Sequence, residues 1–154
     1  MIARVEEQGA QLEEVRALFL EYAQSLGFSL CFQGFDEELR ALPGIYAPPR
    51  GRLLLATEDG SPAGCVGLHE WEAGAAELKR LYVRTDFRGR GLGRALTDAA
   101  LADARSLGYR SVRLDTIPSL MQPAIALYRE LGFREIPPYR DNPIPGALYL
   151  ELQL

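Results

Sequence analysis

Apolar residues recur along the chain at two periods. Leu12, Val15, Leu18, Phe19 and Tyr22 are spaced by threes and fours, which predicts an amphipathic helix over 11–26, stopped by Gly27. Leu92, Leu96, Ala99 or Ala100, and Leu107 mark a second helix over 92–107; Asp103 interrupts its stripe and Gly108 ends it. In a third, over 121–131, Ala124, Leu127, Tyr128 and Leu131 share one broad face before Gly132. A short helix is expected over 36–42. Alternating or compact apolar runs predict strands at 2–5, 52–57, 65–71, 77–83, 111–116, 133–136 and 147–152. Glu58-Asp59-Gly60 reads as a hairpin turn, a second turn falls near Ala73-Gly74, and the proline-rich run LPGIYAPPRG reads as a loop.

This order describes one domain over 1–154 of the α/β (α+β) class, built on a mixed sheet. The helix between strands 77–83 and 111–116 fits a right-handed crossover joining parallel strands. Composition agrees: 154 residues, 47% hydrophobic and 25% charged, exclude a disordered or collagen-like chain. No stretch approaches the roughly 18 to 20 apolar residues of a membrane span, and the start is too charged for a secretory signal. The two cysteines, Cys31 and Cys65, are widely spaced and there is one histidine, which argues against zinc and for a reduced, cytoplasmic setting. Both cysteines are expected to be small buried hydrophobes. A net charge of -4 points away from nucleic acid as a partner.

Charge is unevenly placed, and that changes the picture. After the strand ELKRLYV comes RTDFRGRGLGRAL, with Gly89, Gly91 and Gly93 where strand hands over to helix. Such glycines let backbone approach a ligand closely. The first amides of the helix lack internal partners and sit at the positive end of its dipole, a site for phosphate or pyrophosphate. Lys79, Arg80, Arg84, Arg88, Arg90 and Arg94 face Asp86 alone in this window, which is +5 on a -9 background. The run lacks the Lys-Ser/Thr ending of a nucleotide-hydrolysing P-loop. Its third glycine also falls too early for a dinucleotide fingerprint.

Arg88-Gly89-Arg90-Gly91-Leu92-Gly93 resembles the Gln/Arg-x-x-Gly-x-Gly/Ala motif of the GNAT superfamily of N-acetyltransferases. ELKRLYV is similar to that family's central strand, and AIALYRELGFREI to its later helix, tyrosine and Leu-Gly-Phe turn. The resemblance runs from about Arg52 to Glu135. It implies the acyl-CoA N-acyltransferase fold: a mostly antiparallel twisted sheet flanked by helices, whose central parallel strands splay. It implies acetyl-CoA as acyl donor, with pantetheine along the backbone of Leu81, Tyr82 and Val83. The pyrophosphate would rest on the amides of Arg88, Gly89, Arg90, Gly91, Leu92, Gly93 and Arg94.

The implied reaction is direct attack of a primary amine on the thioester in a ternary complex. Tyr128 matches the tyrosine near the thioester sulfur and is expected to protonate the leaving thiolate; its alternative is a core place beside Leu127 and Leu131. A backbone N–H near Val83 would polarise the carbonyl. Glu77, placed by alternation on one face with Lys79 and Leu81, is expected as the base, directly or through a water; a solvent-facing place is its alternative. His69 is a further candidate base. Tyr22, Phe28, Phe32, Phe35 and Tyr46 are candidates to line an acceptor pocket, closed by Tyr139, Asn142 and the PIPGA segment; a place in the core is the equal alternative for these aromatics. A small-molecule amine is the expected acceptor. Protein or peptide acetylation, and a non-catalytic acyl-CoA-binding module, are the alternatives. Neither a membrane nor a metal is expected. A homodimer is expected as possible, with the C-terminal ELQL as a pairing edge.

Overall fold

The structure, a computed structural model, describes residues 1–27, 29–30 and 34–154. The expectations for Phe28, Cys31 and Phe32 lie outside the described residues. Seven strands form one sheet: β1 (Ile2–Arg4), β2 (Arg52–Glu58), β3 (Ser61–Glu72), β4 (Ala75–Val83), β5 (Ser111–Thr116), β6 (Arg134–Glu135) and β7 (Leu148–Gln153). Four α-helices accompany them: α1 (Ala10–Ser25), α2 (Phe35–Ala41), α3 (Leu92–Ser106) and α4 (Gln122–Glu130). The strand order is β1-β2-β3-β4-β5-β7-β6, and every neighbouring pair is antiparallel except β4 and β5.

Local chemistry accounts for the boundaries. β3 starts four residues before the expected 65, because Asp59 and Gly60 (φ 49° and 80°) make a tight turn that pairs Glu58 with Ser61 at once. Apolar residues on the two sheet faces form two cores. Leu96, Ala100 and Ala104 of α3 and Tyr128 of α4 pack with Ala76, Leu78, Val112 and Leu114. On the other face, Leu12, Val15, Leu18 and Phe19 of α1 pack with Leu53, Leu55 and Cys65. Cys65 is buried there and burial pushes its thiol up, as expected of an inert small hydrophobe.

The C-terminal strand corrects an expectation. β7 is not the outermost strand: β5 pairs with it over its whole length and β6 covers Leu150 and Glu151 on the other side, while Leu152 and Gln153 have no strand partner there among the described residues. The short β1 and β6 are the edges instead. Among the described residues no helix is long and apolar enough to cross a membrane.

The central parallel pair is brief. Ala75, Ala76 and Glu77 pair with Ser111, Val112 and Arg113, and the pairing then ends. β4 continues for six residues held by β3 alone. Within that stretch Cys65 pairs with Tyr82 but Gly67 with Lys79, so Arg80 and Leu81 oppose the single residue Val66. This is a bulge, and Arg80 takes a left-handed backbone there (φ 63°). The sheet therefore opens into a V between β4 and β5.

Asp103, the odd residue on the stripe of α3, is buried for a reason. Its carboxylate takes two bonds from Arg4, at 2.8 and 2.6 Å, and lies 3.5 Å from Arg52 Nε. That nitrogen is buried with no hydrogen-bond partner among the described residues. The Arg4 side chain is 56% exposed and water can replace its partner, so the cost of losing Asp103 falls on Arg52. Asp103→Ala is expected to lose about 1–3 kcal/mol in urea unfolding, and Arg4→Ala less than about 1 kcal/mol. Equal losses would contradict this.

Candidate functional site

The V holds a cavity of about 550 Å³. One wall is the unpaired side of β4, with Leu81, Tyr82 and Val83. The opposite wall comes from β5 and α4, with Leu114, Asp115, Ala124, Leu127 and Tyr128. Its far end is the turn into α3, with Arg88, Gly89, Gly91, Leu92 and Gly93. The broad face of α4 thus serves two purposes: Ile125 goes to the core, while Ala124 and Leu127 line the cavity.

The helix start has the geometry of an anion cradle. Gly91 is the N-cap at φ 78° and Gly89 has φ 78°, both left-handed positions that favour glycine. A Cβ at either would meet nothing within 4 Å, so both face open space. No side chain caps this end, and the first helical bond runs from Ala95 N–H to Gly91 C=O. The amides of Leu92, Gly93 and Arg94 are therefore without helical acceptors.

The cations of this window are less concentrated than the sequence suggests. Arg84 is bound to Glu21 of α1 at 2.9 and 3.1 Å. Arg80 is bound to Glu38 of α2 by two bonds of 3.0 Å. Arg94 lies 3.4 Å from Asp98 and 3.5 Å from Glu130, and Arg90 lies 4.0 Å from Glu58. Neither Arg90 nor Arg94 is among the lining side chains. Arg88 is exposed, donates to Val83 C=O at 2.9 Å, and has no acidic partner among the described residues. Backbone amides and Arg88, rather than a cluster of six free cations, are what this end offers an anion.

Tyr128 lines the cavity although most of its ring is buried beside Phe133, 5.4 Å between centroids. Its core place holds, and it borders the cavity as well. Burial pushes its hydroxyl up, so it stays protonated. Tyr22 and Asn142 of the expected acceptor pocket also line the cavity. Phe35 and Tyr46 do not: both are core. Tyr46 lies against Gly67, where a Cβ would come within 2.5 Å of its ring, and its hydroxyl donates to Glu38 at 2.8 Å.

Glu77 departs from its expected place. It has 0% exposure and lines neither the cavity nor the solvent face. Residues after β6 cover it: Tyr139 donates to its Oε2 at 2.8 Å and Arg140 to its Oε1 at 2.7 Å. His69 Nε2 lies 2.8 Å from the same Oε1, while its Nδ1 meets Glu70 C=O. Burial would raise the Glu77 carboxyl, but the contact with His69 and the charges of Lys79 and Arg140 hold it below the usual range. A carboxylate so engaged is a weak base.

Sequence reasoning missed Asp115, and counted Lys79 only among the cations of the glycine-rich window. Asp115 is the one carboxylate among the described lining residues, and Asn142 donates to it at 3.1 Å. Its alternation with Leu114 on β5 marked it as lying off the apolar face, but the splay that opens it to the cavity leaves no local signal. Lys79 lines this cavity and also a second one of about 510 Å³, beside α2, His69 and Arg140.

Comparison with known proteins agrees with this geometry. The model of the Acetyltransferase (GNAT) family matches residues 12–133. An uncharacterised N-acetyltransferase of Schizosaccharomyces pombe is 40% identical over 145 residues, covering 93% of this chain and 88% of that protein. An IAA acetyltransferase of Azospirillum brasilense is 34% identical over 110 residues, covering 70% and 71%. Among solved structures, an acetyltransferase of the GNAT family from Staphylococcus aureus superposes with a TM-score of 0.80 at 19% identity, covering 99% of both chains. Sequence match and the splayed sheet agree: this chain belongs to the GNAT acetyltransferase family and has its acyl-CoA N-acyltransferase fold.

Proposed function

We propose that the protein transfers the acetyl group of acetyl-CoA directly to the primary amine of a small-molecule acceptor, both bound at once. The observation that carries this reading is the parting of β4 from β5. It leaves an unpaired backbone edge along a cavity that runs from Tyr128 to the free amides of α3. The shape fits a donor with a long amide-bearing arm and a diphosphate. The edge at Leu81, Tyr82 and Val83 would take the arm. The turn at Arg88, Gly89, Arg90, Gly91, Leu92, Gly93 and Arg94 would take the diphosphate, mainly through backbone amides.

The bound thioester supplies an activated acyl carbon. The amine nitrogen bonds to that carbon, the carbon–sulfur bond breaks, and the sulfur needs a proton. Tyr128, kept protonated by burial, donates it. Asp115 attracts the acceptor ammonium and takes one proton from it, because it is the carboxylate facing the cavity; the second proton, shed by the nitrogen as the amide forms, restores the Tyr128 hydroxyl. Glu77 holds Tyr139 and Arg140 in place rather than meeting the amine.

Three substitutions test these roles. Gly93→Glu adds a carboxylate at the free amides, at a helical position where a Cβ would make only an ordinary contact with Val83. Acetyl-CoA affinity should fall at least about tenfold, while thermal stability holds or rises because glycine is the poorer helix former. Unchanged affinity would displace the donor from this cradle. Tyr128→Phe should lower kcat by about 10²-fold or more with KM for acetyl-CoA nearly constant; an unchanged kcat removes the tyrosine from proton transfer. Asp115→Asn should lower kcat/KM for the amine by about 10²-fold while acetyl-CoA affinity, read by titration, stays put. A wild-type rate would rule Asp115 out as the base.

A further inference from the structure

The second cavity has an imbalance of charge. It lies between the start of α2, the loop at Pro43, Gly44 and Ile45, and the side chains of His69, Lys79 and Arg140. Lys79 is among the residues that line both cavities. Three permanent or near-permanent cations, Lys79, Arg80 and Arg140, are gathered here around two buried carboxylates, Glu38 and Glu77. Both carboxylates are already engaged. Glu38 receives Arg80 and the Tyr46 hydroxyl; Glu77 receives Arg140, the Tyr139 hydroxyl and His69. Glu37, at the cavity rim, is exposed and lies 3.3 Å from Arg40.

Two cationic groups are left short of an acceptor. Lys79 Nζ comes no nearer than 3.8 Å to Glu38 Oε1, beyond hydrogen-bond length, although its side chain is only 6% exposed. Arg140 Nε is buried with no hydrogen-bond partner among the described residues. Unmet buried donors are costly, and charged ones more so. Burial and the neighbouring Arg80 and Arg140 press Lys79 down to about 8, against the opposing pull of Glu77 and Glu38. An anion in this cavity would meet the Lys79 ammonium beside Arg140 and relieve that pressure.

Resting on the acetyl-transfer reading, we propose that the second cavity binds a carboxylate of the acceptor through Lys79 and Arg140. The substrates are then amines that also carry an acid group, as amino acids do. The acid is held on the α2 side of Lys79, and the amine reaches past it toward Asp115 and the donor cavity. This placement gives the otherwise buried Glu77 cluster a purpose: its bond to Arg140 fixes the guanidinium beside the second cavity.

The test is the initial rate of coenzyme A release with a panel of amino acids and their carboxamides, which lack the anionic group but keep a readily deprotonated amine. At least one acid should be preferred over its carboxamide by about 30-fold or more in kcat/KM. Lys79→Met and Arg140→Lys should each cut that preference at least about fivefold, through KM for the acid, while KM for acetyl-CoA stays within about twofold. Two variants are used because Arg140 also neutralises Glu77 and its replacement can unfold the chain; thermal melting separates that case, and Lys79→Met then decides. Carboxamides used as well as acids throughout the panel, or a preference that both variants leave intact, would overturn the inference while leaving acetyl transfer standing. Tight acetyl-CoA binding with no turnover of any amine would overturn the transfer reading, and this inference with it.

Discussion

The architecture depends on a single arginine held in an unfavourable backbone conformation. Arg80 sits left-handed in the β4 bulge, which costs an L-residue roughly 1–2 kcal/mol. Its guanidinium is buried and grips Glu38 of α2 by two bonds. Burial would raise the Glu38 carboxyl, but the Arg80 bonds together with the charges of Arg80 and Lys79 and the Tyr46 hydroxyl outweigh it and hold it below its usual range. Breaking one partner of such a buried pair costs roughly 3–5 kcal/mol, more than the strain, so the bulge cannot relax back into regular strand. With the bulge in place, Lys79 and Arg80 are consecutive residues against the same carboxylate. A regular strand would send them to opposite faces. One local irregularity thus supplies the kinked free edge of the donor cavity and the cations of the second cavity.

The sheet around this point divides the labour. β3 holds β4 along its whole length, so the free edge stays rigid although β5 has left it. α3 closes one end with unsatisfied amides, and α4 brings a protonated tyrosine to the wall. α1 and α2 cover the other face with core residues and also supply counter-ions: Glu21 neutralises Arg84 and Glu38 neutralises Arg80. Most of the positive window is therefore internally balanced. The attraction for an anion comes from oriented backbone dipoles, which are fixed in place, and from the exposed Arg88, which has no acidic partner among the described residues.

Much of the fold was legible because its signals are local. Periodicity placed α1 and α3 to within a residue or two, and β5 at its observed bounds. The glycines at 89, 91 and 93 could be read as a cradle because the positive φ of Gly89 and Gly91 and an uncapped helix start follow from neighbouring residues. The misplaced residues have non-local causes. Glu77 looked available on alternation, but its burial is imposed by Tyr139 and Arg140, more than 60 positions away. Tyr46 looked like a pocket aromatic, yet Gly67 leaves the hollow on β3 that takes its ring into the core. The C-terminal strand looked like an outer edge, but the two residues of β6 pair beside Leu150 and beside Glu151, where ELQL begins. The arginine count was right and its meaning was not, since the acids that neutralise it lie in α1 and α2.

The central claim is that the gap between β4 and β5, and the helix start beyond it, hold the acyl donor. Amide hydrogen exchange of the protein with and without coenzyme A tests it directly. Residues 81–83 and 92–94 have backbone donors or acceptors without strand or helix partners on the cavity side, and they should become the most strongly protected segments when coenzyme A binds. Protection confined to the second cavity, around α2 and the loop at Pro43, with residues 81–83 and 92–94 unchanged, would contradict the account.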